Sequence, residues 1–464
     1  MLHPDRLLPT DDHQRSIARA LYESVKNLPI ISPHGHTDPE WFATDAPFTD
    51  PVSLFITPDH YVFRMLYSQG IELDALGIGK PALSDEEART VWRLFAENYH
   101  LFRGTPSRIW LDHVFSEVFD IEQRLSSDTA DTYFDTISAA LQTDAFKPRA
   151  LFDRFNIEVL ATTESPLDTL PFHDQIAASE WDGRVITTFR PDPVMDPEFE
   201  GFVDNVEQLG ELTNTDISSY TGYLNALRDR RGYFRARGAT ATDHGHPSPR
   251  TADLSGTESA ALYQKVLSGS ASSEEADLFR AQMLTEMAAM SVEDGMVMQI
   301  HPGSFRNHNQ VLFDRYGRDM GADIPMQTSY VEALKPMLDR FGNNSKLSVI
   351  LFTLDETAYS RELAPLAGHY PSLKLGPAWW FHDSPEGMRR FRNQVTETAG
   401  FYNTAGFNDD TRAFLSIPAR HDLARRIDCG YLAKLVAEHQ IQDEEAFELA
   451  YALAYSLAKD AYRL

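Results

Sequence analysis

Eight short apolar segments, each ending in polar or catalytic-type residues and separated from the next by a helix-like stretch, constrain this fold more than any other sequence feature. Strands that alternate with helices predict a parallel sheet, because parallel neighbours need a long crossover connection. Eight such units predict an α/β fold of the (β/α)8 TIM-barrel type, and an open doubly wound sheet is the alternative. The predicted strands cover residues 28–36, 157–163, 185–189, 238–242, 296–300, 347–354, 373–378 and 402–407.

The interval between the first two predicted strands is far too long for a single crossover helix. Within it, Ser84 and Glu87 have the spacing of a capping box, and apolar side chains then follow on one helical face. We therefore expect a helical insertion at 40–150 that covers the barrel mouth. Residues 1–39 would supply an N-terminal helix and the first strand. Residues 151–464 would form the rest of the barrel and a set of C-terminal helices.

Composition and charge argue against several kinds of partner. The 464-residue chain carries 42 Lys and Arg against 69 Asp and Glu, and its net charge of −27 disfavours nucleic acid. No apolar run approaches the roughly 18 residues that a membrane-spanning helix needs, and the N-terminal region lacks the apolar core of a secretory signal. Cys429 is the only cysteine, so a disulfide framework is excluded and a reducing compartment, the cytoplasm, fits best. A homo-oligomer is compatible with this composition.

A His-Gly-His tripeptide at 34–36 ends the first predicted strand. Side chains two residues apart on a strand point to the same face, so two imidazoles can bind one metal ion at the end where barrel enzymes form their active sites. His301 ends the fifth predicted strand and Asp410 ends the eighth, and three imidazoles with a carboxylate suit Zn²⁺ or Mn²⁺. The ordinary alternatives are a surface histidine pair, a hydrogen-bonded strand-end residue at His301, and a helix N-cap at Asp410. The adjacent Asp409 competes for the role of Asp410.

Further side chains at the same end of the barrel suit a sugar acid. Arg190 follows the third predicted strand, and its planar fork can bind a carboxylate through two hydrogen bonds. A surface salt bridge is the alternative for this residue. Arg412 shares the strand-end position of Asp410. Trp379 and Trp380 follow the seventh predicted strand, where tryptophans either stack on a sugar ring or pack at the barrel rim.

A histidine and a tyrosine, His60 and Tyr61, begin a predicted helix inside the insertion. Helix packing is the ordinary explanation for Tyr61, and helix capping is the ordinary explanation for His60. If the insertion covers the barrel mouth, the same hydroxyl and imidazole can move protons on a bound sugar.

Ordered motifs across most of the chain resemble those of uronate isomerase, the glucuronate and galacturonate isomerase branch of the amidohydrolase superfamily. They include Pro-His-Gly-His-Thr-Asp-Pro, Asp-His-Tyr-Val-Phe-Arg, Gly-Pro-Ala-Trp-Trp-Phe and Asp-Thr-Arg-Ala-Phe-Leu-Ser. The matching segments lie at 33–39, 59–64, 161–163, 189–192, 242–245, 298–301, 306–307, 376–381 and 410–416.

The resemblance implies one divalent metal ion and a substrate site around it. The implied metal ligands are His34, His36, His301 and Asp410. The residues implied around an open-chain uronate are His60, Tyr61, Arg190, Arg412 and one of Trp379 and Trp380. The family also has an Asp and an Arg close together after the sixth strand. Asp355 fits the first position, and Arg361, six residues on, is the nearest arginine.

The implied reaction is an aldose–ketose isomerisation that interconverts D-glucuronate with D-fructuronate and D-galacturonate with D-tagaturonate. A proton would leave C2 and return to C1 through an enediol, and a direct hydride shift is the route left open beside it. The candidate groups for proton movement are Tyr61, His60, Asp355 and Asp410.

The competing enzymatic function is a mononuclear metal-dependent hydrolase of the same superfamily. Many of those hydrolases have a Lys or Glu after strand four that bridges two metals, whereas this chain has Asp-His-Gly at 243–245. They also commonly have a His after strand six, where this chain has Asp355. Both differences favour one metal and an isomerase. A third possibility, a non-catalytic sugar-acid-binding protein, would need the arginines but not the four metal ligands.

Overall fold

Seven parallel strands curl into one sheet in this computed structural model, which describes residues 2–464. Nine strands were assigned within those residues: β1 Ile30–Ser32, β2 Ile157–Glu164, β3 Val185–Phe189, β4 Ala241–His244, β5 Val297–Ile300, β6 Ser304–Phe305, β7 Ile324–Pro325, β8 Val349–Leu351 and β9 Leu373–Leu375. The curled sheet has the order β1-β2-β3-β4-β5-β8-β9, so its strands are neighbours in chain order, while β6 and β7 form a separate antiparallel ribbon. This arrangement confirms the predicted α/β barrel class.

The predicted eighth strand is not a regular strand. Its segment makes one parallel bridge, between Leu375 and Thr404. Further along, the amide of His36 donates to the carbonyl of Thr411 at 3.0 Å, which joins the segment to the residues after β1. Gly406 has a φ of 72°, a left-handed conformation that interrupts an extended strand. An irregular segment therefore completes the ring between β9 and β1.

Two other strand boundaries differ from the sequence prediction for backbone reasons. β1 ends at Ser32 and does not reach His36, because the proline that follows has no amide hydrogen for the sheet. β4 begins at Ala241 rather than Gly238. Gly238 has a φ of 91° and closes the turn after the preceding helix, so the extended strand starts three residues later. Both histidines of the first tripeptide therefore lie in a loop.

Helices surround the sheet and fill the interval between β1 and β2. The N-terminal helix and those of the insertion are α1 Asp12–Val25, α2 Pro39–Thr44, α3 Pro51–Phe55, α4 His60–Tyr67, α5 Asp85–Glu97, α6 Pro106–His113, α7 Ala130–Leu141 and α8 Pro148–Arg154. The helices of the barrel are α9 Pro171–Ala177, α10 Asp192–Met195, α11 Phe202–Thr213, α12 Tyr220–Arg235, α13 Gly256–Leu267, α14 Ser273–Asp294, α15 Gln310–Tyr316, α16 Val331–Phe341, α17 Ala364–Ala367 and α18 Pro385–Ala399. The C-terminal helices are α19 Ile417–Ala437, α20 Asp443–Tyr451 and α21 Leu457–Tyr462.

Short 3₁₀ and π turns connect or extend these helices. The 3₁₀ segments are Leu73–Leu76, Tyr99–Phe102, Ser127–Thr129, Asp144–Phe146 and Phe414–Ser416, and the π segments are Val114–Val118, Tyr359–Leu363 and Ala452–Ser456. None of the helices built from residues 2–464 is both long and apolar enough to cross a bilayer.

The residues between β1 and β2 pack into an apolar cluster largely of their own. Helix α5 begins at the predicted capping box, where the amide of Glu87 donates to Ser84 Oγ at 3.3 Å and the amide of Ser84 donates to Glu87 Oε2 at 2.9 Å. Trp92 and Phe95 on its apolar face are fully buried. The structure thus confirms the helix start and the apolar face predicted from the sequence.

The last helix, α21, packs against the inside of the barrel at its amino-terminal end. Ala458 belongs to an apolar cluster with Ile31 and Val159, and Tyr462 packs in the neighbouring cluster that includes Val297. Just beyond α21, Arg463 donates to backbone carbonyls that precede β5 and β8. The carboxyl-terminal end of the barrel is left for the polar residues that follow the strands.

Candidate active site

A polar cavity of about 390 Å³ lies at the carboxyl ends of the barrel strands, within the size range of small-molecule sites. The loops after the strands, the irregular eighth segment and the helical insertion all contribute to its wall. Residues that are distant in the sequence therefore meet in one place. The sequence-predicted residues that line this cavity are His34, His36, His60, Tyr61, Arg190, His301, Trp379, Trp380, Asp410 and Arg412.

Histidines and one carboxylate form the centre of the cavity. One ligand atom from each of His34, His301 and Asp410 lies within 4.8 Å of the other two. Asp410 Oδ1 is 3.6 Å from His34 Nε2 and 3.1 Å from His36 Nε2, so His36 joins the group through the carboxylate. The rings of His34 and His301 stack with their centroids 4.9 Å apart. The fold thus brings together the four side chains assigned to one metal ion.

The two ring nitrogens of His301 have different surroundings. Nδ1 lies 2.6 Å from Asp243 Oδ1, whereas Nε2 is buried with no hydrogen-bond partner among residues 2–464. A carboxylate beside Nδ1 holds the proton on that nitrogen and leaves the Nε2 lone pair free. The unpartnered Nε2 therefore fits a metal ligand, and two or three imidazoles with one carboxylate suit Zn²⁺ or Mn²⁺.

The structure separates the two adjacent carboxylates that the sequence left in competition. Asp410 Oδ1 faces the histidines, and its Oδ2 accepts from Trp379 Nε1 at 2.6 Å. Asp409 turns the other way, where its Oδ2 lies 3.0 Å from His421 Nε2. Burial opposes ionisation of Asp410, but the neighbouring histidines lower its pKa below the ordinary value. Asp410 is therefore the carboxylate of the candidate metal centre.

His34 is supported by a chain of buried polar side chains that ends on the last helix. Gln299 Nε2 lies 3.4 Å from His34 Nδ1. Gln299 Oε1 accepts from the Tyr462 hydroxyl at 2.8 Å, and that hydroxyl accepts from Asn408 Nδ2 at 3.1 Å. Helix α21 therefore contributes to the placement of a candidate metal ligand.

Arg190 reaches the cavity from the position after β3 and is held by two carboxylates. Its Nε donates to Asp192 Oδ2 at 3.1 Å, and its NH1 lies 3.1 Å from Asp243 Oδ2. Burial opposes the charge, but these carboxylates raise the pKa of Arg190 above the ordinary value. Arg412 also lines the cavity and donates to Asp319 Oδ2 at 3.0 Å. Both guanidinium groups border the cavity and are available to an anionic group.

The insertion contributes His60 and Tyr61 at the start of α4. The Tyr61 hydroxyl donates to Asp383 Oδ2 at 2.9 Å. Burial raises the pKa of Tyr61 above the ordinary value, and the Asp383 carboxylate adds to that effect. Partial burial, with Arg412 nearby, lowers the pKa of His60 to about 3. At neutral pH the cavity therefore receives a protonated phenol and a neutral imidazole from the insertion.

Both tryptophans of the motif line the cavity, with different contacts. Trp379 donates to Asp410, and its ring lies 4.7 Å from that of His301. The ring of Trp380 lies 5.0 Å from that of His60, and its Nε1 is buried without a hydrogen-bond partner in the described chain. Trp379 supports the candidate metal ligands, whereas Trp380 faces the insertion.

Two residues assigned to the site after the sixth strand do not border this cavity. Asp355 caps its own loop, where its carboxylate accepts from the amides of Thr357 at 3.0 Å and Thr328 at 3.1 Å. The side chain of Arg361 is 53% exposed and pairs with Glu362 in the π-helical segment. Local hydrogen bonds hold Asp355 in its loop, and Arg361 faces solvent, so neither side chain reaches the cavity.

Several charged residues of the cavity wall escaped the sequence analysis, and Asp383 and Arg420 are two of them. Asp383 is buried, accepts from Arg420 NH1 at 3.0 Å, and has no partner for its Oδ1 among the described residues. Burial raises the pKa of this carboxyl above the ordinary value. The closeness of Asp383 to the tryptophan pair was the available sequence signal. Arg420 lies inside a long helix, where nothing in the sequence distinguishes it.

Comparisons with known proteins agree with this geometry. The glucuronate isomerase family model matches residues 11–462. A uronate isomerase of Rhizorhabdus wittichii is 66% identical over 463 residues, which cover 100% of this chain and 98% of the relative. The crystal structure of glucuronate isomerase from Caulobacter crescentus has a TM-score of 0.98 at 62% identity and covers 100% of this chain and 97% of its own. Uronate isomerase from Thermotoga maritima has a TM-score of 0.92 at 29% identity, with coverage of 100% and 99%.

Proposed function

Because this chain belongs to the glucuronate isomerase family, we propose that it interconverts D-glucuronate with D-fructuronate and D-galacturonate with D-tagaturonate. The observation that carries this proposal is that one cavity holds both the histidine–carboxylate centre and a fixed, half-buried arginine, Arg190. An open-chain uronate has a carbonyl at one end and a carboxylate at the other. The two parts of the cavity suit those two ends.

We propose that one divalent ion, Zn²⁺ or Mn²⁺, is held at the catalytic centre. When bound, the ion supplies Lewis-acid polarisation of the sugar oxygens. The protein holds the ligands through outer contacts, since Asp243 orients His301 and Gln299 contacts His34. The proposed ligands are His34, His36, His301 and Asp410.

The carboxylate end of the substrate is assigned to Arg190. Its guanidinium is already oriented by Asp192 and Asp243, so little side-chain entropy remains to be lost when a substrate carboxylate binds. Arg412 offers a second positive group in the same cavity. Holding the carboxylate in one place fixes which carbon atoms lie beside the proton-transfer groups.

The proton step is assigned to Tyr61 and Asp410. Tyr61 keeps its proton at neutral pH, because burial and the Asp383 carboxylate raise its pKa, so it suits the role of donor to a sugar oxygen as negative charge develops. Asp410 is ionised and can accept the C2 proton and return it to C1 through the enediol. The neutral imidazole of His60 is the nearby group that can relay a proton between the two oxygens.

We also propose that the insertion at 40–150 covers the barrel mouth during the reaction. It already supplies part of the cavity wall, from Pro58 to Tyr61. An enediol that meets bulk water can eliminate or scramble its protons, so a covering element protects it. In this division of the chain, residues 1–39 and 151–464 form the barrel and its terminal helices.

The only partner that this proposal requires is the small-molecule uronate. A cytoplasmic location suits the single thiol, Cys429, which is buried and forms no disulfide. A homo-oligomer stays a prediction.

The test is to incubate the purified, metal-loaded protein with each uronate and follow ketouronate formation by NMR. We expect both substrates to be converted, and solvent deuterium found at C1 after reaction in D₂O would establish proton transfer. Absence of ketouronate from both sugars would reject the isomerase, and hydrolysis of amides or lactones instead would favour the hydrolase.

A further inference from the structure

We infer that Asp192, His244 and His246 form a second metal-binding site, separate from the catalytic centre and suited to Zn²⁺. One ligand atom from each residue lies within 4.8 Å of the other two, and all three residues are buried. Asp192 begins α10 just after β3, and the two histidines stand at the end of β4. Two imidazoles and one carboxylate are ligand types that zinc binds. This inference goes beyond the proposed isomerase activity and does not depend on it.

Three of the four ring nitrogens of the two histidines have no hydrogen-bond partner among the described residues, and the fourth, His244 Nε2, lies 3.0 Å from Thr242 Oγ1. Neither ring nitrogen of His246 has a hydrogen-bond partner among residues 2–464, and the same holds for Nδ1 of His244. His246 is only 2% exposed, so water does not replace those partners at the surface. By contrast, Nε2 of the buried His173 lies 2.9 Å from Thr162 Oγ1. Unpaired buried nitrogens are costly, and one shared metal ion would satisfy both imidazoles.

The Asp192 carboxylate is held as an oriented ligand. The amide of Gly245 donates to both of its oxygens, at 3.2 and 3.0 Å, and Arg190 donates to Oδ2 at 3.1 Å. Asp192 Oδ1 lies 3.7 Å from His246 Nε2, which is too long for a hydrogen bond. Bonds of about 2.0–2.2 Å place two ligands of one zinc ion roughly 3–4 Å apart, so the separation suits a shared ion. A methyl group at Gly245 would collide with Arg190 and Asp192.

Carboxylates outnumber guanidinium groups around this site. Arg190 and Arg280 face five carboxylates, of which one, Asp277, is paired with Arg250, so an excess of two negative charges remains, the charge that one divalent ion neutralises. A further arginine near Gly245, Arg306, is balanced by its own partner, Asp323. Unlike a lone acidic cluster on the surface, these charges are largely buried and surround two neutral imidazoles. The two unbalanced groups are Arg190 with Asp192 and Asp243, and Arg280 with Asp196 and Glu198.

The location suggests what this ion would do. β3 and β4 share a single backbone pair, Phe189 with Thr242, whereas β2 and β3 share five and β4 and β5 share four. An ion held by Asp192 on one side and by both histidines on the other would tie the ends of β3 and β4 together. The same ion would fix Asp192, the carboxylate that orients Arg190.

The first measurement uses the wild-type protein loaded with Zn²⁺ and freed of excess metal by gel filtration. We expect two zinc ions per chain by mass spectrometry of the metal content. In crystals of that protein, we expect an anomalous zinc peak between Asp192 and His246, apart from the peak at the catalytic centre. A single zinc ion per chain with no peak at this position would overturn the inference.

Variants then separate the two sites. His246→Ala should reduce the zinc content from two ions to one and keep the catalytic ion, and His301→Ala should also retain one ion, now located at His246. His173→Ala removes a buried histidine that has a hydroxyl partner, so this matched control should keep both ions. If His246→Ala does not fold, the zinc content and anomalous map of His301→Ala decide the question. A His246→Ala protein that keeps two ions, or a His301→Ala protein that keeps none, would overturn the inference.

Discussion

The same tripeptide, His-Gly-His, occurs at 34–36 and at 244–246, and its two copies occupy different surroundings. In the first, the His36 side chain is 25% exposed and borders the cavity. In the second, both histidines are buried and neither lines the cavity. Metal sites that keep an open position suit catalysis, and closed sites suit structural roles. The spacing of a histidine pair therefore does not determine its role, because the surroundings decide whether a substrate can reach it.

The difference arises from where each tripeptide begins relative to its strand. β1 ends at Ser32, so the first tripeptide lies wholly in the loop beside the cavity. β4 extends to His244, and the position before it belongs to Asp243, which contacts His301 inside the site. Because side chains alternate along a strand, His244 lies on the other face, beside Thr242. Along β4, one residue therefore separates a place in the cavity, held by Asp243, from a place in the core, held by His244.

Removing a ligand from the open site should have the largest effect. His301→Ala should lower kcat by at least about a thousandfold, because the polarisation supplied by a bound metal contributes several kcal/mol to the transition state. The NMR assay for ketouronate measures the rate, and metal analysis shows which ion is lost. His173→Ala should keep a rate near that of the wild type. A folded His301→Ala protein with normal turnover would show that the open site is not catalytic.

Arg190 touches both regions, since it pairs with Asp192 of the closed site and Asp243 of the open one. Arg190→Ala should lower kcat/KM for uronates by about a hundredfold or more, because losing a buried charge partner costs about 2–5 kcal/mol in binding. Arg190→Lys keeps the charge without the fork and should recover only part of the loss. Steady-state kinetics with both sugars would check this, and unchanged values for Arg190→Ala would remove Arg190 from the substrate site.

The contribution of the insertion to the open site is tested by Tyr61→Phe, which deletes one hydroxyl and keeps the ring. We expect kcat to fall by about a hundredfold, the low end of acid–base contributions, with the metal content and circular dichroism unchanged. Wild-type turnover in a folded, metal-loaded Tyr61→Phe protein would instead show that Tyr61 serves only to pack the insertion against the barrel. Proton movement would then rest on His60 and Asp410.

The smallest expected effect concerns buried histidines that belong to neither site. Burial lowers the pKa of His173 and His382 to about 4, whereas an unfolded histidine titrates near 6.5. Between about pH 6.5 and 4 the unfolded chain therefore binds protons that the folded chain does not, so their stabilising effect is full above pH 6.5 and is lost as the pH falls.

Calorimetry of the metal-free protein would measure this effect as the difference in the pH dependence of Tm between the wild type and His382→Asn. Glu164 acts in the opposite sense, because burial raises its pKa to about 7, and the paired comparison removes its contribution. We expect Tm to fall less steeply for the variant between pH 7 and 5, by a few degrees. A steeper fall for the variant would contradict the assignment.

Much of the fold was predictable because each strand and helix start depends on residues that are close together in the sequence. Apolar runs that end in polar residues marked most of the barrel strands, and a capping box at Ser84 marked a helix start. The eighth strand was predicted wrongly, because its irregularity depends on the left-handed backbone at Gly406 and on packing against the last helix. Apolar composition does not report either of these features.

The site was predictable where a residue directly follows a strand and unpredictable where long-range packing decides. His301 and Arg190 border the cavity as expected from their strand ends. The choice of Asp410 over Asp409 depends on a backbone φ of 38° at Asp410, which spacing cannot supply. Arg420 enters the cavity wall from inside a helix. The second tripeptide was visible in the sequence, but only the surrounding charges distinguish it from an ordinary buried pair.

The contact between Tyr462 and the chain that supports His34 also sets an order of events during biosynthesis. Asp410 is made 376 residues after His34, and Tyr462 is made 428 residues after it. At about 5–20 residues per second, His34 waits on the order of 20–80 s for Asp410 to be synthesised. The catalytic centre therefore cannot assemble on a half-finished chain, and a product truncated before Tyr462 lacks part of its support. Under the proposed ligand set, metal capture would therefore follow the synthesis of Asp410 rather than begin at His34.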